Sequence, residues 1–384
     1  MRLVGRDIDV SAASAMLKEH PLACIIQGFQ KVRQLSGLDY RLIRNGSSFY
    51  PQIIGFEITH RCNLRCKTCW YWGPHGRYSE GGGMEEMSVQ QIRDFVDSIS
   101  WFRPYLMLTG GEPLLYQGIE EVVRHASSRG LFVGMITNGM VAGEEKIREL
   151  VDAGLNFVNV SIDSPEKEIH NEIRNNESSF DRCIKALDNI RKVKGGRLFP
   201  IVTVNLTVSN YNYENLRGIV ELIDDAGVRI LQIQHQWFSD RETSIAYEEW
   251  AERYLGMESG HIGTYETGDA HDVDGAVLFD QIRDIRDRSN IAVRVYPDLS
   301  REDTASYYRG MDAVYNERCI QAWYGACIKP NGDVVPCIDY VVGNVTETPF
   351  KQLWNSEKMR LFRRTVGDQG YFPGCTRCCG FFLR

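Results

Sequence analysis

Between residues 51 and 235 the sequence alternates short apolar runs, rich in β-branched and aromatic residues, with longer stretches of helical period. The runs predict six strands, at Ile53–Ile58, Tyr105–Leu108, Phe132–Ile136, Phe157–Ile162, Ile201–Val208 and Ile230–Ile233. Strands that alternate with helices form parallel sheets with right-handed crossovers. Six units are fewer than a closed eight-stranded barrel needs. The sequence therefore predicts an α/β fold built on a partial (β/α)6 barrel.

Polar and glycine-rich segments follow the predicted strands, at the end where the active sites of parallel barrels lie. These segments are Thr59–Cys62, Thr109–Pro113, Thr137–Gly139, Ser161–Asp163 and Gln234–His235. One face of the sheet therefore collects cysteines, a glycine turn, an acid and several amides. We expect the reaction site there, with substrate-binding side chains in the lumen around Gln232, Gln234 and His235.

The chain divides into four segments. Residues 1–50 predict a helical N-terminal extension, 51–235 the barrel, 236–310 an irregular bridging region, and 311–384 a small cysteine-rich domain. Within the last segment, Asn331-Gly332 predicts a tight hairpin, because this pair suits the positive φ angles of such turns.

The composition disfavours several classes of partner. A net charge of -7 argues against a nucleic-acid binder that works through phosphate attraction. No run of eighteen apolar residues is present, so no membrane span is expected. Asp7 and Asp9 interrupt the N-terminus where a secretory signal would be apolar. We expect a cytoplasmic protein with neither nucleic acid nor membrane as partner.

The eleven cysteines are unevenly spaced. Three lie within Cys62–Cys69, six lie within Cys319–Cys379, and Cys24 and Cys183 stand alone. Clustered cysteines in a cytosolic protein indicate metal binding or redox chemistry and not a disulfide framework. We interpret the two isolated cysteines as small buried apolar residues.

The first group has the spacing C-x3-C-x2-C, formed by Cys62, Cys66 and Cys69. Structural zinc and iron–sulfur sites normally close with four protein ligands. Three cysteines on a four-iron cluster leave one iron open to a small molecule. The alternative is a zinc site in which His60 or His75 supplies the fourth ligand.

The segment Glu57-Ile58-Thr59-His60-Arg61-Cys62-Asn63-Leu64-Arg65-Cys66 resembles the cluster motif of the radical S-adenosylmethionine (SAM) superfamily. Gly110-Gly111-Glu112-Pro113 resembles the second motif of that family. The resemblance covers residues 51–235, and it implies a partial barrel, SAM as cofactor and a SAM-binding [4Fe-4S] cluster on the three cysteines.

The resemblance also implies contacts to SAM. The turn of Gly110, Gly111, Glu112 and Pro113 is expected to approach the methionine part closely, since glycine carries no side chain, with Glu112 holding the ammonium group. Further candidate SAM contacts are Asn138 in the lumen, Ser161 and Asp163 after strand four, Arg174 for the carboxylate, and Trp70 for adenine. For Ser161 and Asp163 a helix cap is an equal alternative. Thr68 stands where many members carry an aromatic residue, which motivates the assignment of Trp70.

The second cysteine group resembles the short twitch form of the SPASM domain, which implies one auxiliary [4Fe-4S] cluster. We predict Cys319, Cys337, Cys375 and Cys378 as its ligands, with Cys327 and Cys379 in reserve. Six cysteines are too few to ligate two four-iron clusters completely. A four-cysteine zinc site is the alternative. Asp339, two residues after Cys337, is a candidate catalytic base.

A fully ligated auxiliary cluster would act as an electron relay, so the resemblance implies a net two-electron oxidation. The architecture resembles that of the butirosin-pathway aminocyclitol dehydrogenase and of anaerobic sulfatase-maturing enzymes. We expect a small-molecule or natural-product substrate, because residues 1–50 are shorter than a leader-binding winged helix, and an electron donor such as flavodoxin or ferredoxin. Peptide modification by epimerisation, thioether or carbon–carbon bond formation is the alternative, and a zinc-binding scaffold protein is the alternative of another class.

Overall fold

The structure is a computed structural model that describes residues 21–78, 83, 85–257, 265–266, 268–337 and 340–378. Its strands are β1 (Ile53–Thr59), β2 (Tyr105–Gly110), β3 (Val133–Thr137), β4 (Phe157–Ser161), β5 (Ile201–Val208), β6 (Ile230–His235), β7 (Ala292–Tyr296), β8 (Gly325–Ile328), β9 (Asp333–Val335) and β10 (Gly343–Asn344).

Helices occur in the barrel segment and in the segments before and after it. They are α1 (Pro21–Ser36), α2 (Leu38–Leu42), α3 (Val89–Ile99), α4 (Ile119–Ser128), α5 (Glu144–Asp152), α6 (Lys167–Arg174), α7 (Ser179–Lys194), α8 (Ile219–Asp225), α9 (Arg241–Leu255), α10 (Gly275–Arg288), α11 (Arg301–Tyr307), α12 (Gln321–Tyr324), α13 (Phe350–Leu353) and α14 (Glu357–Gln369). Asp339 and Cys379 lie outside the described residues. None of the described helices is long and apolar enough to cross a membrane.

All ten strands form one sheet in the order β10-β9-β8-β1-β2-β3-β4-β5-β6-β7. Strands β1 to β7 are parallel and follow chain order, which confirms the predicted α/β fold and its six strands. Strand β7 was not predicted: Arg294 at its centre interrupts the apolar run, and it lies in the segment expected to be irregular.

The C-terminal segment continues the barrel sheet. Strand β8 is parallel to β1, with Ile53 opposite Gly325 and Phe56 opposite Ile328. The predicted hairpin connects β8 to the antiparallel β9, and Gly332 takes a φ of 94° in its turn. The cysteine-rich segment therefore begins next to the strand that leads into the first cysteine group.

The alternating burial of β1 shows how the sheet presents polar groups to the lumen. Ile54, Phe56 and Ile58 are fully buried in the apolar core, whereas Glu57 is only partly buried on the other face. Side chains alternate between the two faces of a strand, so one face packs against helices and the other lines the lumen. The helix that follows, α3, begins with a capping box between Ser88 and Gln91.

Candidate functional site

The loop after β1 carries the first three cysteines, and its backbone is tightly turned. The amide of Cys69 donates to the carbonyl of Cys66 at 3.1 Å, and the amide of Gly73 donates to that of Cys69 at 2.9 Å. A Cβ at Gly73 would stand 2.4 Å from the Cys69 carbonyl oxygen, so the loop requires glycine there. The backbone amide of Lys67 donates to the Ile173 carbonyl at 2.8 Å, which connects the loop to α6. Sequence reasoning did not identify Gly73.

Each of the three sulfur atoms faces an N–H donor. The amide of Leu64 lies 3.5 Å from Cys62 Sγ, the amide of Trp72 lies 3.4 Å from Cys69 Sγ, and Arg174 Nη1 lies 3.8 Å from Cys66 Sγ. Burial raises the pKa of the Cys62 thiol to about 12. A thiol buried in this way becomes a thiolate when a metal replaces its proton, and N–H donors then stabilise the sulfur charge. The donor set therefore fits an iron–sulfur cluster.

His60, an alternative fourth ligand for zinc, is turned toward an acid. Its Nδ1 atom lies 3.1 Å from Glu86 Oε1. The same carboxylate holds Arg61, whose Nη2 atom donates to Glu86 Oε2 at 2.9 Å. His60 thus belongs to the polar rim of the loop.

The glycine turn after β2 packs directly on the loop after β1. The amide of Gly111 donates to the Thr59 carbonyl at 2.8 Å, and the amide of Glu112 donates to the Arg61 carbonyl at 2.8 Å. A Cβ at Gly110 or Gly111 would stand 2.2 Å from the carbonyl oxygen of Thr59 or Arg61 respectively. Gly110 also has a φ of 128°, which L-residues rarely adopt. The two glycines therefore bring two backbone segments together.

Glu112 joins the ends of two strands. Its Oε1 atom accepts from Thr137 Oγ1 at 2.7 Å and from the Leu114 amide at 3.2 Å, and its Oε2 atom accepts from the Asn138 amide at 2.7 Å. The side chain is 1% exposed, and burial raises its pKa to about 7. With three protein donors, the carboxylate fixes the position of the turn; that it holds an ammonium group stays a prediction.

Asn138, at the end of β3, contacts the cysteine loop. Its Nδ2 atom donates to Asn63 Oδ1 at 2.8 Å and lies 3.9 Å from Cys62 Sγ. The structure therefore brings the ends of β1, β2 and β3 together around Cys62.

Asp163 and Arg174 form a buried ion pair beside Cys66. Asp163 Oδ2 lies 2.7 Å from Arg174 Nε, and Asp163 Oδ1 accepts from the Thr207 amide at 3.2 Å. The following helix has Glu166 as its N-cap, so Asp163 is not a helix cap. Ser161 is partly buried on the lumen face of β4, and its hydroxyl makes no hydrogen bond to other residues that the structure describes.

Arg174→Met is expected to lower the free energy of unfolding by about 3–5 kcal/mol, because it leaves the Asp163 carboxylate buried without its partner. Urea denaturation of protein with a known iron content measures this change. The exposed pair of Arg197 and Asp152, 2.9 Å apart, supplies the control. Arg197→Met should cost less than about 1 kcal/mol, and equal losses in both variants would contradict the structural role of the pair.

Among the four predicted ligands of the second group, Cys319 and Cys337 lie close enough to Cys375 to affect its ionisation. Burial raises the pKa of the Cys375 thiol well above its usual value, and the proximity of Cys319 and Cys337 raises it further. Cys378 follows on the same short turn, where its amide donates to the Cys375 carbonyl at 3.0 Å. Cys319 is held to the end of α14 by a 2.8 Å bond from its amide to the Gly370 carbonyl.

Two family models match the two cysteine-bearing parts of the chain. The radical SAM superfamily model matches residues 56–224, and an iron-sulfur cluster-binding domain, SPASM, matches residues 319–379. The chain belongs to the radical SAM superfamily. It is an enzyme of that family with a SPASM domain, and these domains imply SAM, a [4Fe-4S] cluster and auxiliary iron–sulfur binding.

The chain is similar in sequence to several enzymes, over different parts of its length, and in structure to others. An AdoMet-dependent heme synthase of Methanosarcina barkeri is 26% identical over 341 residues, which cover 85% of this chain and 88% of the relative. A PqqA peptide cyclase of Methylocella silvestris is 29% identical over 179 residues, 47% of this chain and 46% of the relative. Streptococcus suis SuiB bound to S-adenosylmethionine shares the fold, with a TM-score of 0.61, 15% identity, and coverage of 85% of this chain and 70% of SuiB.

Aromatic side chains surround Trp70 in this radical SAM enzyme. Trp70 is 38% exposed, and its ring centroid lies 5.4 Å from that of Tyr265 and 6.0 Å from that of Trp237. Trp237 and Tyr265 stack with centroids 4.0 Å apart. No sequence pattern indicated these two residues, because both lie after the predicted barrel strands, in the segment expected to be irregular.

A polar network that sequence reasoning also missed connects the radical SAM domain to the SPASM domain. Glu57 Oε1 accepts from Lys329 Nζ at 2.9 Å, and Glu57 Oε2 accepts from Tyr71 Oη at 2.6 Å. The Cys327 thiol donates to the same carboxylate at 3.3 Å. Cys327 therefore faces Glu57, and that it could replace an auxiliary ligand stays a prediction.

His235 does not line the lumen. It is 2% exposed, its Nδ1 atom lies 2.7 Å from Tyr308 Oη, and burial lowers its pKa to about 3. Gln232 and Gln234 lie on the opposite, partly buried face of β6. The expectation was wrong for His235 because strand alternation directs it into the core.

Proposed function

We propose that this radical SAM enzyme carries out a two-electron oxidation of a small-molecule substrate, with one cluster generating the radical and the SPASM cluster accepting an electron. The observation that carries the proposal is the pairing of β8 with β1, which joins both cysteine-bearing segments through one sheet. The network of Glu57 and Lys329 strengthens this connection at the lumen.

We assign Cys62, Cys66 and Cys69 as ligands of the SAM-binding [4Fe-4S] cluster. Among the described residues, no three His, Cys, Asp or Glu side chains already converge as a metal site, so the assignment rests on other observations. The assignment is supported by the spacing, by the N–H donors at the three sulfurs and by the family match. When bound, this cluster supplies the electron that cleaves SAM to methionine and a 5'-deoxyadenosyl radical.

We assign the strand ends around Cys62 as the SAM site. The turn from Gly110 to Pro113 is assigned as the floor of this SAM site, and Glu112 attaches the turn to β3. Further SAM contacts are assigned to Asn138, Ser161, Asp163, Arg174 and Trp70. Two observations support this: Ser161 leaves its hydroxyl toward the lumen, and Trp70 is partly exposed among other aromatic rings.

We assign Cys319, Cys337, Cys375 and Cys378 as ligands of one auxiliary [4Fe-4S] cluster, supported by the proximity of Cys375 to Cys319 and Cys337. Four protein ligands close a cluster to substrate, which suits it to electron transfer. Asp339 remains the predicted base, and a flavodoxin or ferredoxin the predicted electron donor.

A small molecule is favoured over a peptide by how far the relatives align. The relative named as a heme synthase matches through both the radical SAM and SPASM parts, whereas the peptide cyclase matches less than half of the chain. We therefore propose an iron porphyrin carboxylate side chain as the first substrate class to test, with peptide modification as the second.

The proposal is tested with anaerobically reconstituted full-length protein. We expect about eight irons per chain, consistent with two four-iron clusters, and reductive cleavage of SAM with dithionite. Iron coproporphyrin deuterated on its propionate side chains should transfer deuterium to 5'-deoxyadenosine. Cys378→Ala should still transfer deuterium but form little oxidised product. A colourless protein that binds zinc and no iron would refute the proposal.

A further inference from the structure

Polar side chains form a row across the lumen face of four neighbouring strands. Ser161 on β4 lies opposite Asn205 on β5. Gln232 on β6 comes next, with Asn205 on one side of it and Arg294 of β7 on the other. All four residues are partly buried, whereas the residue that follows each of them along the chain, such as Val295, is buried in the core. Because side chains alternate between the faces of a strand, the row faces the lumen.

The hydrogen-bonding groups of this row are largely unused within the protein. Asn205 Oδ1 is buried without a hydrogen-bond partner among the described residues. The side chains of Gln232 and Arg294 make no hydrogen bond or ion pair with any residue that the structure describes. A buried polar group without a partner costs free energy, which a bound molecule recovers when it supplies that partner. The row is therefore suited to bind a polar ligand.

The β7 end of the row carries positive charge. Strand β7 ends the sheet of the described residues, so Arg294 lies at the open side of the partial barrel. A second cation, Lys31 of α1, lies near it: partial burial lowers the pKa of the Lys31 ammonium group, and the Arg294 guanidinium lowers it further.

Neither cation has an acid partner within the described part of the chain. Lys31 Nζ donates to the neutral Gln34 Oε1 at 3.0 Å, and no carboxylate forms an ion pair with Lys31 or Arg294. Two neighbouring cations repel each other, although the protein as a whole has a net charge of -7. An anion bound between them would relieve this repulsion.

We propose that Arg294, together with Lys31, binds a carboxylate group of the substrate away from the reacting carbon. The row begins at Ser161, an assigned SAM contact, and ends three strands away at Arg294. A spacing of about 4.8 Å between neighbouring strands places these residues about 14 Å apart along the sheet. A guanidinium group binds a carboxylate through charge-assisted hydrogen bonds.

This arrangement narrows the substrate class to molecules with at least two carboxylate side chains. One side chain lies at the SAM end of the row and reacts, while another is held by the two cations. The inference rests on the proposed function, in which an iron porphyrin carboxylate is the substrate.

The test measures binding of iron coproporphyrin and of its methyl ester by anaerobic absorbance titration of reconstituted full-length protein. The ester keeps the ring but removes the carboxylate charges, so the unsubstituted protein should bind the acid about 10-fold more tightly or better. Arg294→Gln should weaken binding of the acid by about 10-fold or more and leave that of the ester unchanged. Arg294→Lys keeps the charge and should retain more affinity, and Lys31→Gln should weaken acid binding to a smaller extent.

Arg229 supplies a matched control. It lies directly before β6, its side chain is 74% exposed, and its Nη1 atom lies 3.7 Å from Asp224 Oδ1. Arg229→Gln removes the same charge outside the lumen, so the affinities for acid and ester should both stay unchanged.

Each outcome bears on the inference. Weaker binding confined to the acid, and greater in Arg294→Gln than in Arg294→Lys, would support it. Unchanged acid binding in Arg294→Gln would overturn it, and so would equal losses in both variants, because shape and not charge would then matter. Equal affinity of the unsubstituted protein for acid and ester would also overturn it. Unsubstituted protein of full iron content that binds neither porphyrin would refute the proposed substrate class and the inference with it.

Discussion

Replacing Cys66 with alanine is expected to abolish reductive cleavage of SAM and to remove about four of the roughly eight irons. Two thiolates cannot hold a four-iron cluster that already leaves one iron without a protein ligand. Cys66 is also the sulfur that Arg174 contacts at 3.8 Å, so the substitution removes the thiolate that this cation would stabilise. Iron analysis and chromatography of 5'-deoxyadenosine, both under anaerobic conditions, measure the two effects.

Cys24→Ala is the control for this loss. Cys24 lies on α1, is partly buried and belongs to neither cysteine group. Its substitution should leave both the iron content and SAM cleavage unchanged. If Cys66→Ala retained eight irons and cleaved SAM, the assignment of the first cluster to this loop would be wrong.

Gly111→Ala is expected to reduce SAM cleavage by about 100-fold or more, although it alters no proposed ligand. The new Cβ would stand 2.2 Å from the Arg61 carbonyl oxygen and 2.6 Å from that of His60. The loop directly before Cys62 must therefore move, and displacements of about 1 Å can cost 100-fold in rate. Initial rates of 5'-deoxyadenosine formation, normalised to iron content, give the measurement.

Gly143→Ala is the matched glycine control, because a Cβ there meets no atom within 4 Å. Its φ of -65° suits any L-residue, so rate and iron content should stay at the level of the unsubstituted enzyme. A Gly111→Ala enzyme with unchanged SAM cleavage would show that the contact between the turn and the cysteine loop is dispensable.

The fold was largely predictable, because apolar periodicity reports which face of each element is buried. All six strands between residues 51 and 235 occur where the pattern placed them, within about two residues at their ends. Strand β7 was missed because it is short and has Arg294 at its centre. Its pairing with β6 is a long-range contact that no local pattern reports.

Residues of the candidate site were predictable only where the residue type by itself indicates a chemical role. Three clustered cysteines indicate a metal centre in any fold, and the glycine turn marks a close backbone approach. The reason for that approach was not visible: the glycines face the backbone of Thr59 and Arg61. Likewise, Asp163 could be a helix cap or a ligand contact by sequence, and the structure pairs it with Arg174.

The sequence by itself determined the alternation of strands and helices, the two cysteine groups and the hairpin at Asn331-Gly332, since each depends on neighbours along the chain. Only the tertiary structure decided that Cys327 faces Glu57, that His235 is a core residue, and that Asp163 pairs with Arg174. These facts depend on which groups distant segments bring together, because burial and charge compensation are properties of the packed molecule.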